Sequence, residues 1–381
     1  MKITLLSANP PEANPYVGLL ADAIVVSGAQ VTLATGAADQ GVPEDALDAD
    51  VIHLHWLELW RRPDYRSMAG LTRLGAPGRL LRRWLEPQLN SPDAFARRRQ
   101  VLLNEFLDWL AGYKAGGGHL VYTLHNIVQH EGEATDVELQ GLRRLLDLAD
   151  AIHVHSHAMV IELQDRLGNA ELPSLAVIPH GNYIGVYPNL VSRGEAQRRL
   201  DLPGEGFNFL FLGLIRPYKG VEELLPAFAG LQEPDARLLI AGQSRPRGYA
   251  AGLADSARAD DRVLWHPSFV PPDEIQQWMN ASDIVVLPYR EVTTSGAAML
   301  AFSFARPILA PALPGFVELV GDNPFLGMLY DPEEPSALAQ ALVRAHATDW
   351  SQNEPAILEW ASQFAWPSIG QQFMALYRQI L

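Results

Sequence analysis

Cysteine is absent from the 381 residues, which removes disulfide frameworks, thiolate metal centres and cysteine nucleophiles from the possible chemistry. Positive charge is scarce. The 29 Lys and Arg stand against 44 Asp and Glu, for a net charge of −15, which argues against a nucleic-acid-binding protein. No run of about 18 uncharged apolar residues occurs, so no transmembrane helix is expected. The opening MKITLLSANPPEANP has too short an apolar stretch for a signal peptide, and it reads as a buried first strand with the cytoplasm as the expected compartment. No GxGxxG follows that strand, which weighs against a dinucleotide-dependent dehydrogenase. Internal repeats and low-complexity tracts are also missing. What is present, 48% hydrophobic and 19% charged residues, is the composition of an ordinary globular protein with about two domains' worth of chain.

The scarce positive charge is concentrated. Residues 61–99 carry ten Arg and three acids, a net of +7, which leaves −22 on the rest of the chain. Trp60, Tyr65, Met68, Leu71, Leu74, Trp84 and other apolar residues are interleaved with them. Such an insertion suits an anionic membrane surface, with apolar groups dipping in and Arg on the headgroups. A solvated helical face is the alternative.

Short Val/Ile/Leu runs alternate with helical stretches along the whole chain. The first half has Ile3–Leu6, Gln30–Leu33, Val51–Leu54, His119–Thr123, Ala151–Val154 and Ala176–Ile178. The second half has Phe209–Leu212, Arg237–Ala241, Val263–Trp265, Ile284–Leu287 and Pro307–Leu309. Asp136–Leu148, Arg193–Leu200 and Val221–Leu231 have helical periodicity. Continuous apolar strands between helices predict parallel sheets covered on both faces, and two series predict two doubly wound α/β domains. The join is expected in VIPHGNYIGVYPN, residues 177–189, with domains at 1–185 and 186–363.

Ligands in such sheets bind beyond the carboxyl ends of the strands, so the candidates stand just after each strand, in a cleft expected between the domains. After the seventh strand, GLIRPYKGVEELLPAF (213–228) offers Gly213 for close backbone approach, then Arg216 and Lys219 before a helix N-terminus. That is a suitable site for a diphosphate. After the tenth strand, Thr294, Ser295 and Gly296 precede a helix whose free N–H groups suit an anion. Glu318 stands where a carboxylate accepts from ribose hydroxyls; stabilisation of the helix dipole is the plainer role.

Nine of the eleven His lie between positions 53 and 180. His53/His55 and His153/His155/His157 have period-two spacing and share a strand face. No HExxH or comparable pattern supports a metal site. Donation to substrate hydroxyls is the expected role, with His53, His55, Trp56, His130 and His155 as acceptor-binding candidates. In VYTLHNIVQHEGEATD (121–136), His125 and Glu131 are the candidates for deprotonating an acceptor hydroxyl.

In these motifs the chain resembles the GT-B glycosyltransferases, in particular family 4. GLIRPYKGVEELLPAF is similar to the family's donor-diphosphate motif. LLIAGQ (238–243), SFVPPDEIQQWMNASDIVVLPY (268–289) and ARPILAPALPGFVELV (305–320) follow in the family's order and spacing. VYTLHN and VIPHGN are similar to segments of bacterial polysaccharide members. The resemblance covers essentially the whole chain. It implies a nucleotide-sugar donor, UDP- or GDP-linked, held by the C-terminal domain. Donor contacts would come from Gly213, Arg216, Lys219, Gln243, Phe269, Val270, Tyr289, Glu291, Thr294, Ser295, Gly296 and Glu318. It implies a lipid-linked or oligosaccharide acceptor in the N-terminal domain, a place in polysaccharide synthesis, and a C-terminal helix (364–381) crossing back to that domain. No further cofactor is implied.

Three departures from the family pattern stand out. The family's Gly-Gly loop after the first strand is replaced by SANPPEANPYVG (7–18). Its paired glutamates fall near Val292 and Leu300, neither acidic, with Glu291 beside the first. These losses question the family's retaining outcome; an inverting enzyme would need His125 or Glu131 as base. No DxD follows a strand, which fits metal-independent transfer with Arg216 and Lys219 stabilising the leaving diphosphate. A sugar-nucleotide epimerase or hydrolase of the same fold, and a non-catalytic two-domain sugar-binding protein, are the alternatives.

Overall fold

The computed structural model describes residues 1–9, 14–35, 46, 48–57, 92–126, 136–167, 172–246 and 248–381. They fall into two compact units. One comprises Met1–Val154, Leu163–Ile178 and Trp366–Leu381; the other comprises His155–Glu162 and Pro179–Ala365. Among the described residues each unit holds one six-stranded parallel sheet.

In the first unit the strands are β1 (Lys2–Ser7), β2 (Gln30–Thr35), β3 (Val51–His55), β4 (His119–Thr123), β5 (Ala151–Val154) and β6 (Ser174–Val177), in the order β2-β1-β3-β4-β5-β6. The helices are α1 (Tyr16–Val26), α2 (Pro92–Ala115) and α3 (Asp136–Leu148), while α4 (His157–Leu167) is shared, its residues from Leu163 counting with this unit and those before with the other. All five residues of β3 are buried, as a central strand of a two-sided sheet demands. Its register sets His53 beside Val121 and His55 beside Thr123, and β4 in turn sets Thr123 beside His153. Three polar side chains of one sheet interior thus become neighbours.

The last helix, α13 (Trp366–Ile380), returns to this unit, as the resemblance implies. Ile369, Phe373, Met374 and Tyr377 recur at helical spacing and are buried with Tyr16, Val17, Leu20 and Ile24 of α1. Each such side chain contributes about 1.5–3 kcal/mol by leaving water. Gly370 lets the two helices touch: a Cβ there would meet the backbone carbonyl of Ala23.

The second unit has β7 (Phe207–Leu212), β8 (Ala236–Ala241), β9 (Val263–His266), β10 (Ile284–Val286), β11 (Ile308–Pro311) and β12 (Gly327–Tyr330), in the order β12-β11-β10-β7-β8-β9. Its helices are α5 (Arg193–Arg199), α6 (Val221–Ala229), α7 (Tyr249–Arg258), α8 (Ile275–Ala281), α9 (Gly296–Ser303), α10 (Pro314–Val320), α11 (Ala337–His346) and α12 (Glu354–Ser362). Ser192 caps α5 by accepting from the Glu195 N–H, which fixes where this unit's first helix begins. The strand order changes direction between β7 and β10, the position where doubly wound sheets bind ligands.

Two features differ from the sequence expectations. Strand β12 is additional; its four residues, GMLY, are too short and too partially buried to give a period. The units part between Ile178 and Pro179 rather than after 185, and again between Ala365 and Trp366. The reason is hydrogen bonding. The Asn182 N–H donates to the Phe364 carbonyl (2.8 Å), its side-chain amide to the Ala361 carbonyl (2.8 Å), and the Tyr183 N–H to Ser303 Oγ (2.8 Å). These bonds draw the joint segment into the second unit.

Most of the basic insertion lies outside the described residues. Its end forms the start of α2, where Arg97 and Arg98 are exposed and Arg99 is half-buried. Among the described residues no helix is long and apolar enough to cross a membrane.

Candidate active site

The seventh strand ends against the eighth at two glycines. Gly213 (φ 141°) and Gly242 (φ 147°) lie back to back, and a Cβ on Gly242 would run into the Gly213 carbonyl. The pairing continues beyond them. The Ile215 N–H donates to the carbonyl of Gln243 (2.9 Å) and the Arg245 N–H to the Ile215 carbonyl (2.9 Å). The Gln243 side chain is exposed. Gly220 (φ 68°) then closes the 3-10 turn Pro217–Lys219 tightly against the backbone of Pro288, beyond β10.

This turn sets Lys219 Nζ 3.2 Å from Tyr289 Oη and 4.9 Å from the centre of the Tyr289 ring, with the Tyr218 ring at 5.9 Å. Burial lowers the Lys219 pKa; Tyr218 opposes that effect and the Arg216 guanidinium adds to it. The nearby acids on the first turn of α6 are engaged elsewhere: Glu222 and Glu223 both pair with Arg290, and Glu222 also accepts from the Tyr249 hydroxyl (2.8 Å). Lys219 is therefore held at a strand end, beside Arg216, with no carboxylate paired to it among the described residues. That arrangement favours an anion.

On the neighbouring loop, Ser295 caps α9 by accepting from the Ala298 N–H (3.2 Å). The N–H groups of Gly296 and Ala297 take no partner from the described residues. Tyr289 is buried, which pushes its pKa up, with the Ser295 hydroxyl opposing. The Thr294 hydroxyl is buried without a partner among the described residues. Glu291 is exposed, and Val292 and Leu300, at the places of the family's glutamates, are half-buried. Phe269 is exposed and Val270 buried in the loop after β9.

Glu318 is engaged differently from the ribose contact expected of it. Its two carboxylate oxygens accept from the N–H groups of His157 (2.7 Å) and Ala158 (2.6 Å), capping the start of α4. A carboxylate at a helix N-terminus is stabilised by the helix dipole. This anchor also explains why His155–Glu162 belongs with the second unit. His155 is buried there, with its ring 5.5 Å from that of His180.

In the first unit, the histidines divide into two groups. The first is an interior chain. His153 Nε2 is 2.8 Å from the Ile178 carbonyl, which can only accept, so Nε2 carries the proton. With that ring neutral, His153 Nδ1 accepts from the Thr123 hydroxyl (2.9 Å). Thr123 Oγ1 accepts from His53 Nε2 (2.6 Å), and His53 Nδ1 accepts from the Tyr377 hydroxyl (2.7 Å). All four side chains are inaccessible to solvent. His53 is thus a core residue that ties α13 to the sheet, which corrects its expected role at an acceptor. Thr123, His153 and Tyr377 were not singled out by sequence; period-two spacing hinted at His153 alone.

The second group surrounds His125. His55 is fully buried, which pushes its pKa down to about 3, with the nearby His153 adding to the effect. His55 Nδ1 is 3.1 Å from Nε2 of the half-buried His125. The His125 ring stacks on Trp56 at 4.0 Å and 10°, and Tyr16 stands edge-on to it at 5.3 Å. Trp56 has φ 51°, a left-handed conformation in a non-glycine residue immediately after β3. A short strand end, a strained tryptophan and two imidazoles thus converge beyond β3 and β4. His130 and Glu131 lie outside the described residues.

Similarity to known proteins agrees with this layout. Residues 12–181 match the family described as "Glycosyl transferase 4-like domain", and residues 206–348 match "Glycosyl transferases group 1". A GDP-mannose:glycolipid 4-beta-D-mannosyltransferase of Xanthomonas campestris pv. campestris is 27% identical over 341 residues, covering 87% of this chain and 80% of that protein. A D-inositol 3-phosphate glycosyltransferase of a Nocardioides species is 26% identical, covering 96% and 84%. Among solved structures, sucrose-phosphate synthase from Thermosynechococcus elongatus superposes with a TM-score of 0.70 at 18% identity, covering 100% and 99%. HepE from Anabaena, in complex with UDP and glucose, gives 0.69 at 20% identity over the full length of both chains. With both halves matched in order and a doubly wound parallel sheet in each unit, the chain belongs to the GT-B glycosyltransferases of the family 4 type.

Proposed function

We propose that this glycosyltransferase moves a hexosyl group from a UDP- or GDP-sugar to a lipid-linked or oligosaccharide acceptor in polysaccharide synthesis. The observation that carries the reading is the pairing of Arg216 and Lys219 at the end of β7, beside the open N-terminus of α9. A leaving nucleoside diphosphate develops negative charge as the glycosidic bond breaks. Fixed cations and backbone N–H groups stabilise that charge without reorganising. This supports transfer without a metal.

The relatives support the donor and acceptor classes: one is named for GDP-mannose and a glycolipid, and a structural neighbour is described with UDP and glucose. That mannosyltransferase is also named for a β linkage. From an α-linked donor, a β product requires inversion and a base on the acceptor side. His125, set against His55 and Trp56, is the base in this reading. Inversion also accounts for the missing paired glutamates.

The +7 segment 61–99 would hold the enzyme at the cytoplasmic face of an anionic membrane, where a lipid-linked acceptor resides. Sedimentation with anionic vesicles tests this: binding at low salt that is lost at high salt is expected, and no binding at low salt removes the membrane role. For the transfer itself, a thermal-shift screen of UDP, GDP, ADP and their sugars identifies the donor. Transfer of radiolabel to a glycolipid extract then distinguishes a transferase from a hydrolase or epimerase. Release of free sugar with no labelled glycolipid would overturn the assignment of the acceptor.

A further inference from the structure

The joint between the halves, VIPHGNY, contributes a side chain to the mouth of α9 that the motifs did not single out. Tyr183 is 92% buried by its 8% exposure, yet none of the described residues forms a hydrogen bond with its hydroxyl. Its backbone is fixed, since the N–H donates to Ser303 Oγ (2.8 Å) on α9 itself. Its ring is bracketed by His180 at 5.6 Å and Tyr187 at 5.8 Å. The hydroxyl lies 3.4 Å from the point where Gly296 would carry a Cβ. It is therefore beside the first residue of α9, whose Gly296 and Ala297 N–H groups have no partner among the described residues.

The hydroxyl of a buried tyrosine ring normally finds a hydrogen-bond partner. Burial also keeps it protonated, so at neutral pH it acts as a donor. One hydroxyl and two N–H groups thus stand at the first turn of α9, the positive end of its helix dipole. His180 is the other polar group nearby. Its Nδ1 donates to the Gly181 carbonyl (2.7 Å), which leaves Nε2 as the accepting nitrogen, 3.6 Å from the same Cβ point. Burial lowers the His180 pKa to about 4, so its ring is neutral and the helix end and Tyr183 supply the attraction.

We propose that Tyr183 is a donor-binding residue: its hydroxyl and the Gly296 and Ala297 N–H groups together grip a phosphoryl oxygen of the nucleoside-diphosphate sugar. This rests on the glycosyltransferase reading of the second unit. The proposal commits to the second phosphoryl, the one attached to the sugar, which a nucleoside diphosphate carries. A nucleoside monophosphate lacks that group and does not reach the Tyr183 hydroxyl.

The test is titration calorimetry of the full chain with UDP, UMP, GDP and GMP, for wild type, Tyr183→Phe and the control Tyr187→Phe. Loss of one hydrogen bond to a charged group weakens binding by about tenfold or more. Tyr183→Phe should weaken the diphosphate by that factor and leave the monophosphate unchanged. Tyr187→Phe should change neither, and the unliganded melting temperature of each variant reports folding. Equal diphosphate affinity in wild type and Tyr183→Phe overturns the role of Tyr183 while leaving the glycosyltransferase reading intact. Equal weakening of mono- and diphosphate also overturns it, since that marks a general disturbance of the unit. No binding of any nucleotide by wild type overturns the donor reading itself, and this proposal with it.

Discussion

Acidification should destabilise the first unit through one buried imidazole. His55 is fully buried and its pKa lies at about 3, mainly because burial disfavours the charged ring. In the unfolded chain a histidine titrates near 6.5. Between these two values the unfolded state binds a proton that the folded state refuses. Stability therefore rises with pH across that window and is lost as pH falls through it. At pH 7 both states are neutral at this site and nothing is lost. At pH 4 the linked loss is about 3 kcal/mol, a substantial share of the 5–15 kcal/mol that holds a typical domain together.

Urea unfolding followed by circular dichroism at half-unit steps from pH 7 to 4 measures it. His55→Gln removes the titrating group, so the variant should show a shallower fall with pH than wild type, whatever its offset at pH 7. The difference in slope should approach about 1.4 kcal/mol per pH unit near pH 5. Parallel pH profiles for wild type and His55→Gln would refute the reasoning, because they would mean that the ring is charged or hydrated in the folded state.

Further outcomes follow from other parts of the structure. Thr123→Val removes the hydrogen bonds to both His53 Nε2 and His153 Nδ1, whereas Tyr377→Phe removes only the one to His53 Nδ1. At about 1 kcal/mol for each buried hydrogen bond lost, the threonine variant should be the less stable of the two by chemical denaturation. Gly370→Ala should cost about 1–3 kcal/mol, because the added methyl meets the α1 backbone at Ala23. Arg216→Ala and Lys219→Ala should each nearly abolish sugar transfer in a radiolabel assay with little change in melting temperature. Near-normal transfer would remove them from the donor site.

Much of the architecture was legible in the chain itself. Strand-length apolar runs separated by helices specify buried parallel strands, because only a sheet covered on both faces hides such runs. All eleven runs correspond to strands, and Asp136–Leu148 is a helix over the same residues. The place of the cationic pair just after β7 was equally readable, since strand ends are set by local pattern. Strand β12 was not, because four residues, three of them half-buried, carry no period.

Local pattern did not decide what the polar residues do. His53 and His55 are two residues apart and share a face, so the sequence treats them alike. The sheet register and α13 separate them: Thr123 and Tyr377, 70 and 324 residues away, complete His53 as a core residue, whereas His55 meets His125. Glu318 depends in the same way on the N–H groups of His157 and Ala158, some 160 residues earlier. The two sheets and the cationic loop can be read along the chain, because burial periodicity and turn residues act over a few positions. Which histidines are interior, that Glu318 caps a helix and that Tyr183 stands beside the first residue of α9 emerge only in the folded chain. A hydrogen bond depends on distances in space, and chain spacing does not encode them.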